Sequence, residues 1–139
     1  LDAGGFVVGV RPWLKPFTIP QETKRIWWDH RDRVILVAEH YRRPHGHHAH
    51  IYYLRNRLIA GMSRLVVVVE AKPGGGTTHM EEWALRHGKP LAIFEHPDKE
   101  SIYHKGYLWF VKAAEKYEGA VLHTVRTVEE LEELIKTLV

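Results

Sequence analysis

The sequence predicts an α/β protein of the Rossmann-like three-layer class, with a mostly parallel sheet of about five strands. Five short apolar runs alternate with amphipathic segments, and this order favours right-handed crossovers between parallel strands. The runs are apolar at consecutive positions, which is typical of strands buried on both faces. A chain of 139 residues is the size of one ordinary domain, so we expect a single domain over residues 1–139.

The first half of the chain predicts two strands and two helices. In the order strand, helix, strand, helix, they cover residues 5–10, 18–29, 34–38 and 49–61. The first helix has a typical start, with a hydroxyl at Thr18, a proline in the first turn and Gln21 at the capping-box position. A loop with Pro12 and Pro16 precedes it, and a loop over residues 41–48 precedes the second helix. One face of the second helix is apolar at Ile51, Leu54, Leu58 and Met62.

The second half predicts three strands, each followed by a helix. The strands cover residues 64–71, 90–94 and 120–125, and the helices cover residues 77–87, 105–118 and 127 onward. Gly88 occupies the usual position just after a helix, and Thr127 with Glu130 forms a capping box. The predicted faces of these three helices are Met80, Trp83, Ala84 and His87; Leu108, Val111 and Ala114; and Leu131, Leu134, Ile135 and Leu138.

Composition excludes several classes of protein. The chain has no cysteine, which excludes disulfides, thiol catalysis and thiolate metal sites and fits a reducing compartment. No apolar run approaches the 18 or so residues of a membrane span. We therefore expect a cytoplasmic protein without a membrane partner.

The excess positive charge lies in one segment. Residues 40–69 contain no acidic residue and five arginines, which leaves the rest of the chain with 15 basic and 17 acidic residues. Concentrated positive charge attracts phosphates on a nucleotide or a nucleic acid. A solvated basic surface without a ligand is the alternative interpretation.

A glycine-rich loop is the best candidate for binding an anion. Residues 70–78 lead from a predicted strand into a helix and include Gly74, Gly75 and Gly76, which let an anion approach the backbone. The N–H groups and hydroxyls of Thr77 and Thr78 at the helix start would point at it. The loop has neither the Walker pattern nor G-x-G-x-x-G, so neither a magnesium-dependent nucleotide hydrolase nor an NAD enzyme is indicated. A plain tight turn is the alternative.

Two arginines on the preceding helix add candidate phosphate ligands. With Leu54 and Leu58 facing inward, the side chains of Arg55, Asn56 and Arg57 fan out over the rest of the helix. At least one guanidinium should point toward the ligand end of the strands, where its planar fork suits phosphate oxygens. An arginine could instead pair with Glu39 or Glu70 as internal scaffolding.

Histidines and aromatic residues flank this helix. Residues 44–50 contain four histidines, which could hold zinc, nickel or copper, but no carboxylate lies nearby in sequence and we expect no metal site. If protonated, these histidines would make anion binding sensitive to pH. Tyr52 and Tyr53 could stack on bases or pack in the core. Trp27, Trp28 and Trp83 are expected in the core or at an interface.

Residues 55–71 closely resemble the RNRIIAGLS…VVVVEA block of the DprA/Smf family. The resemblance continues through Gly76 to Leu91 and covers about residues 1–95. It implies a Rossmann-like domain that binds single-stranded DNA without a cofactor and, as a dimer, helps to load a recombinase. It also implies that Arg55, Arg57 and residues 74–78 line the DNA-phosphate pocket. The family's first two strands have no counterpart here, so we expect a fragment of a longer domain, a separate partner half or a short relative.

The same loop resembles a second family. Residues 72–82 are similar to the PGGxGTxxE signature of LOG-type nucleoside-monophosphate phosphoribohydrolases, with the glutamate displaced by one position to Glu81. This resemblance implies, as the alternative function, a nucleotide-binding sensor or a hydrolase in which Arg57 and Glu81 are catalytic. The distinguishing feature is whether Glu81 or Glu82 faces the glycine loop beside an arginine.

Overall fold

A computed structural model of the chain describes residues 2, 4–15, 20–46 and 48–138, without the side chains of His48, Ala49 and Thr77. Strands and helices alternate along the chain, in the order β1 (Val7–Lys15), α1 (Gln21–Asp29), β2 (Val34–Arg42), α2 (His48–Met62), β3 (Val66–Val68), α3 (Gly76–Arg86), β4 (Leu91–Phe94), α4 (Ile102–Ala114), β5 (Leu122–Val125) and α5 (Val128–Leu138). All strand pairs are parallel. This alternation confirms the predicted α/β class and is consistent with the Rossmann-like three-layer fold.

The strands form two sheets, one of two strands and one of three. They belong to two compact units, unit 1 (Leu1–Arg55) and unit 2 (Asn56–Val139), and the boundary falls inside α2. The single domain expected from the sequence stays a prediction.

Unit 1 contains the β1–β2 sheet and the crossover helix α1. The register runs from Val7 opposite Val34 to Lys15 opposite Arg42. Trp13, Val34 and Ile51 are its buried apolar residues among those described.

Both strands of unit 1 are longer than the sequence predicted. The expected loop at Pro12 is wrong, because β1 continues through it to Lys15. Its pairing with β2 passes from Arg11 to Trp13, and a proline is tolerated on an edge strand where no ladder bond requires its nitrogen. β2 likewise extends to Arg42, into the segment predicted as a loop. Thr18, the predicted helix cap, lies outside the described residues.

Unit 2 contains the sheet of order β3-β4-β5, with a core around Phe110, Leu85, Leu91 and Ile93. β3 is shorter than the predicted strand 64–71, because it pairs with β4 only from Val66 to Val68. Beyond this pairing the side chain of Val69 is 66% exposed.

The predicted faces of four helices are partly wrong. Four residues assigned to these faces are exposed: Met62, His87, Leu108 and Ile135. In α4 the buried residues are instead His104, Gly106, Phe110 and Ala113. Hydrophobic spacing alone therefore did not identify which face of each helix is buried.

The predicted helix ends at Gly88 and Thr127 are confirmed. Gly88 has a φ of 63°, in the left-handed region that favours glycine after a helix. Thr127 Oγ1 accepts a hydrogen bond from the Glu130 N–H at 3.2 Å, and the Glu130 carboxylate accepts one from the Arg126 N–H at 2.7 Å. In the part of the chain that the structure describes, no helix has the length and hydrophobicity needed to cross a bilayer.

Candidate functional site

The carboxyl ends of β3, β4 and β5 meet at one edge of the unit 2 sheet, where parallel α/β sheets bind ligands. Charged and polar side chains follow all three strands at this edge. They are Glu70 and Lys72 after β3, Glu95 and His96 after β4, and Arg126 after β5.

Residues 74–78, which we call the glycine elbow, connect this edge to α3. Gly74 has a φ of 68°, which L side chains rarely adopt. The Gly75 N–H donates to the Lys72 carbonyl at 3.1 Å, and a Cβ on Gly75 would lie 3.2 Å from that oxygen. Two of the three glycines are therefore explained by the turn itself.

Gly76 differs from these two because neither its φ nor its neighbours require glycine. A Cβ built at Gly76 meets no described atom within 4 Å, so the space that a side chain would take there is open. Gly76 and Thr77 are the first two residues of α3, and N–H groups in a first helical turn have no acceptor within the helix.

Thr78 is tied to the elbow internally. Its N–H donates to the Gly75 carbonyl at 3.1 Å, its hydroxyl donates to the same oxygen, and the residue is buried. Both donors that the sequence assigned to an anion are thus directed at the protein backbone.

A cluster of ring and charged side chains lies beside the elbow. The Lys72 ammonium is 5.9 Å from the centre of the Tyr103 ring, and the Tyr103 and His96 rings are 5.9 Å apart. His96 Nε2 lies 3.9 Å from a carboxylate oxygen of Glu70. We call Glu70, Lys72, His96 and Tyr103 the edge cluster.

Glu95 forms ion pairs with two cations at the same edge. Arg126 Nε donates to its carboxylate at 2.9 Å, and Lys99 donates to the other oxygen. Hydrogen bonds from Lys99 and then from Arg126 lower the pKa of Glu95, and desolvation opposes this shift. Glu95 therefore remains ionised at neutral pH.

Arg55 holds α2 to β1 inside unit 1. Its Nη1 donates to the Val10 carbonyl at 3.2 Å, and its guanidinium carbon lies 5.7 Å from the Tyr52 ring centre. Burial lowers the pKa of Arg55, and Tyr52 opposes the shift. This bond gives Arg55 a structural contact within unit 1 through a backbone carbonyl, and the predicted pairing of an arginine with Glu39 or Glu70 stays a prediction.

Asn56 and Arg57 lie in unit 2, on the same helix. Both are half-buried, and each interacts with another group of the protein. The carboxyl end of this helix is held by Lys89, whose ammonium donates to the carbonyls of Gly61 at 3.0 Å and Ser63 at 3.1 Å. Arg55 and Arg57 leave the helix about 200° apart, since each residue turns it by about 100°.

Glu81 is buried on the core side of α3, one turn after Thr78. Neither carboxyl oxygen has a hydrogen-bond partner. Burial raises its pKa to about 8, and no cation contributes to this shift. The carboxyl group is therefore held in its neutral form at pH 7 by desolvation alone.

Glu82 faces a different set of groups. The Tyr117 hydroxyl donates to its carboxylate at 2.5 Å, and Arg86 lies 3.7 Å from the same oxygen. The arginine beside this glutamate thus comes from the end of α3, away from the elbow.

The described residues contain no group of three or more histidine, aspartate and glutamate side chains that could hold a metal ion. In the histidine run, His47 and the side chain of His48 lie outside the described part of the chain.

Comparison with protein families decides the affiliation. The model of the family described as DNA recombination-mediator protein A matches residues 1–127 of the 139. The chain belongs to this family. The match spans both units and confirms the resemblance seen at residues 55–71. Membership in the DNA recombination-mediator protein A family indicates a role in DNA recombination or processing. No curated protein and no solved structure gives a significant match to the chain.

Sequence reasoning found the elbow but missed most of the edge cluster. The spacing of His96 and Tyr103 carries no motif, and only the parallel pairing of β3 with β4 brings them beside Lys72. The one signal in the sequence was their position, since His96 follows a predicted strand and Tyr103 lies near the start of the next helix.

Proposed function

We propose that this member of the DNA recombination-mediator protein A family binds single-stranded DNA, with backbone phosphates at the glycine elbow. The backbone of Gly74, Gly76 and Thr77 and the side chains of Asn56 and Arg57 supply the contacts in unit 2, and Arg55 is a separate contact in unit 1.

The open space beside Gly76, where a side chain would lie, is the observation that carries this proposal. Glycine costs helix stability relative to alanine, and nothing in the described structure repays that cost at Gly76. An external group that approaches the backbone closely would account for it. The helix N-terminus there favours an anion, and the exposed Lys72 adds positive charge near the elbow.

The distribution of charge supports a polyanion as the ligand. Residues 40–69 carry five arginines and no acidic residue, and this segment includes α2. The edge cluster adds an aromatic ring at Tyr103 and a cation at Lys72, a combination that suits bases and phosphates of a single strand.

The hydrolase alternative requires an arginine beside a glutamate at the elbow. Burial alone accounts for the raised pKa of Glu81, and Glu82 pairs with Arg86 and Tyr117. No observation on the described residues favours this alternative, so we propose binding without catalysis.

We also propose that the protein self-associates, that it acts in the cytoplasm and that its protein partner is a recombinase. The exposed sheet surface of unit 1 supports the first of these. The paired residues Val8 and Ile35 of the unit 1 sheet are 48% and 58% exposed, and Phe6 next to them is 76% exposed. Exposed apolar sheet surface favours association. Sedimentation of the full chain and of Ile35→Glu tests this step, and a wild-type monomer at micromolar concentration would contradict it.

Substitution of Gly76 tests DNA binding. We expect Gly76→Ala and Gly76→Val to weaken the binding of a labelled oligo(dT) progressively, by about tenfold or more for valine, because a side chain would cover the open amides. The matched control is Gly61→Ala in α2, whose Cβ would lie 3.7 Å from Trp83 in ordinary contact. Unchanged affinity in both Gly76 variants, with the fold intact by circular dichroism, would contradict the proposal.

A further inference from the structure

Trp28 on α1 is an exposed tryptophan in unit 1 that the elbow does not involve. Its side chain is 60% exposed, although the sequence predicted it in the core or at an interface. Its ring meets the Trp27 ring edge-on, with the ring centres 6.1 Å apart and the ring planes at an angle of 68°. More than half of this residue is thus accessible on the surface of the unit.

Basic side chains surround this ring. The guanidinium carbon of Arg31 lies 4.5 Å from the Trp28 ring centre. Lys24 and Arg25 precede Trp28 by four and three residues, so they share its side of the helix. Arg25 lies 3.6 Å from Asp29 in an exposed ion pair, which screens only part of the positive charge.

An open cleft of about 510 Å³ adjoins this ring. It is lined by Gln21, Lys24, Arg25, Trp27, Trp28 and Asp29. Its lining thus combines two indole rings with two cations and one carboxylate. A flat, apolar group attached to a negatively charged chain matches this surface, because the ring can stack and the cations can pair.

We propose that Trp28 is a stacking platform for a nucleobase of single-stranded DNA, with Lys24 and Arg31 contacting the adjacent phosphates. This inference rests on the proposed function and adds a base-binding position in unit 1 to the phosphate position in unit 2. Every base has a π-face, so stacking tolerates any sequence, whereas phosphate contacts alone do not sense bases at all.

The decisive experiment compares two probes of equal length and charge, a labelled oligo(dT) and a fully abasic strand, on the full chain. We expect Trp28→Ala to weaken oligo(dT) binding about tenfold and to leave abasic binding unchanged, because only the base stacks on the ring. Trp28→Phe should retain most of the affinity. The control Tyr41→Ala removes another exposed aromatic side chain of unit 1 and should change neither probe.

The outcomes separate this inference from the proposed function. If the wild type binds neither probe, both proposals are wrong. If the wild type binds oligo(dT) and Gly76→Val weakens it while Trp28→Ala does not, only the stacking platform is wrong. An equal loss of affinity for both probes in Trp28→Ala would also overturn the stacking platform. A change of oligomeric state in Trp28→Ala would overturn it as well, because the ring would then belong to a protein interface.

Discussion

A Cβ atom on Gly106 would lie 1.8 Å from the carbonyl oxygen of Ala71, so the backbone of α4 packs directly against the loop that leads into the glycine elbow. This contact fixes the amino-terminal half of α4 at the carboxyl end of β3. It also places Tyr103 next to Lys72, since both residues lie within three positions of the contact.

Gly106→Ala should therefore destabilise the protein more than Gly61→Ala or Gly76→Ala. We expect a loss of about 3 kcal/mol or more in the free energy of unfolding, because backbone must move to admit the methyl group. Urea unfolding followed by circular dichroism measures it. Gly61→Ala is the comparison, since its methyl group has room and alanine favours a helix. Equal stability of the Gly106 and Gly61 variants would contradict the close packing.

Glu81→Gln should remove a pH dependence of stability. Because the folded pKa of about 8 exceeds the ordinary value of 4.5, the contribution of Glu81 to stability is fully present below pH 4.5 and is lost as the pH rises to about 8. By pH 7 this loss is on the order of 3 kcal/mol, because each pH unit above 4.5 costs about 1.4 kcal/mol until the folded pKa is reached. Glu81→Gln should be correspondingly more stable than the wild type at pH 7 and similar at pH 4.

Unfolding free energies from pH 4 to 8 measure this, with the exposed Glu115→Gln as control. A difference in unfolding free energy between the wild type and Glu81→Gln that stays constant from pH 4 to 8 would contradict the raised pKa of Glu81.

Arg57→Ala should reduce the salt dependence of DNA binding. Each lost phosphate contact lowers the slope of log K against log salt by about 0.7 for a single strand. The slope is obtained from the affinity for oligo(dT) measured between about 50 and 200 mM salt. Lys136→Ala removes one charge at the end of α5, where Lys136 pairs with Glu133, and should leave the slope unchanged. Equal slopes for wild type and Arg57→Ala would remove this arginine from the phosphate contacts.

Thr127→Ala should destabilise α5 by about 1 kcal/mol, since the variant leaves the Glu130 N–H without its hydroxyl acceptor. Thermal unfolding measures the loss. Thr127→Ser keeps the acceptor and should recover most of the stability, while Thr137→Ala at the other end of the helix serves as the control. Full stability of Thr127→Ala would contradict this prediction and would mean that the bond from the Arg126 N–H to the Glu130 carboxylate is sufficient to hold the helix start.

The sequence alone determined the features that depend on neighbouring residues. The alternation of strands and helices, the cap at Thr127, the left-handed Gly88 and the glycine turn at Gly74 follow from local backbone preferences, which act within a few residues. The likeness of residues 55–71 to a known block also gave the family, which the match over residues 1–127 confirmed.

Tertiary structure decided every feature that needs a partner distant in the chain. Pro12 is part of β1 because β2 pairs beside it, β3 ends where β4 stops pairing, and α4 turns toward the core through Gly106 because Ala71 admits no side chain there. Glu81 illustrates the same limit, since its place near the glycine loop suggested a catalytic residue as the alternative, and packing buried it without a hydrogen-bond partner. Strand pairing, helix rotation and desolvation are all set by groups many residues away, so hydrophobic spacing and local motifs could not specify them.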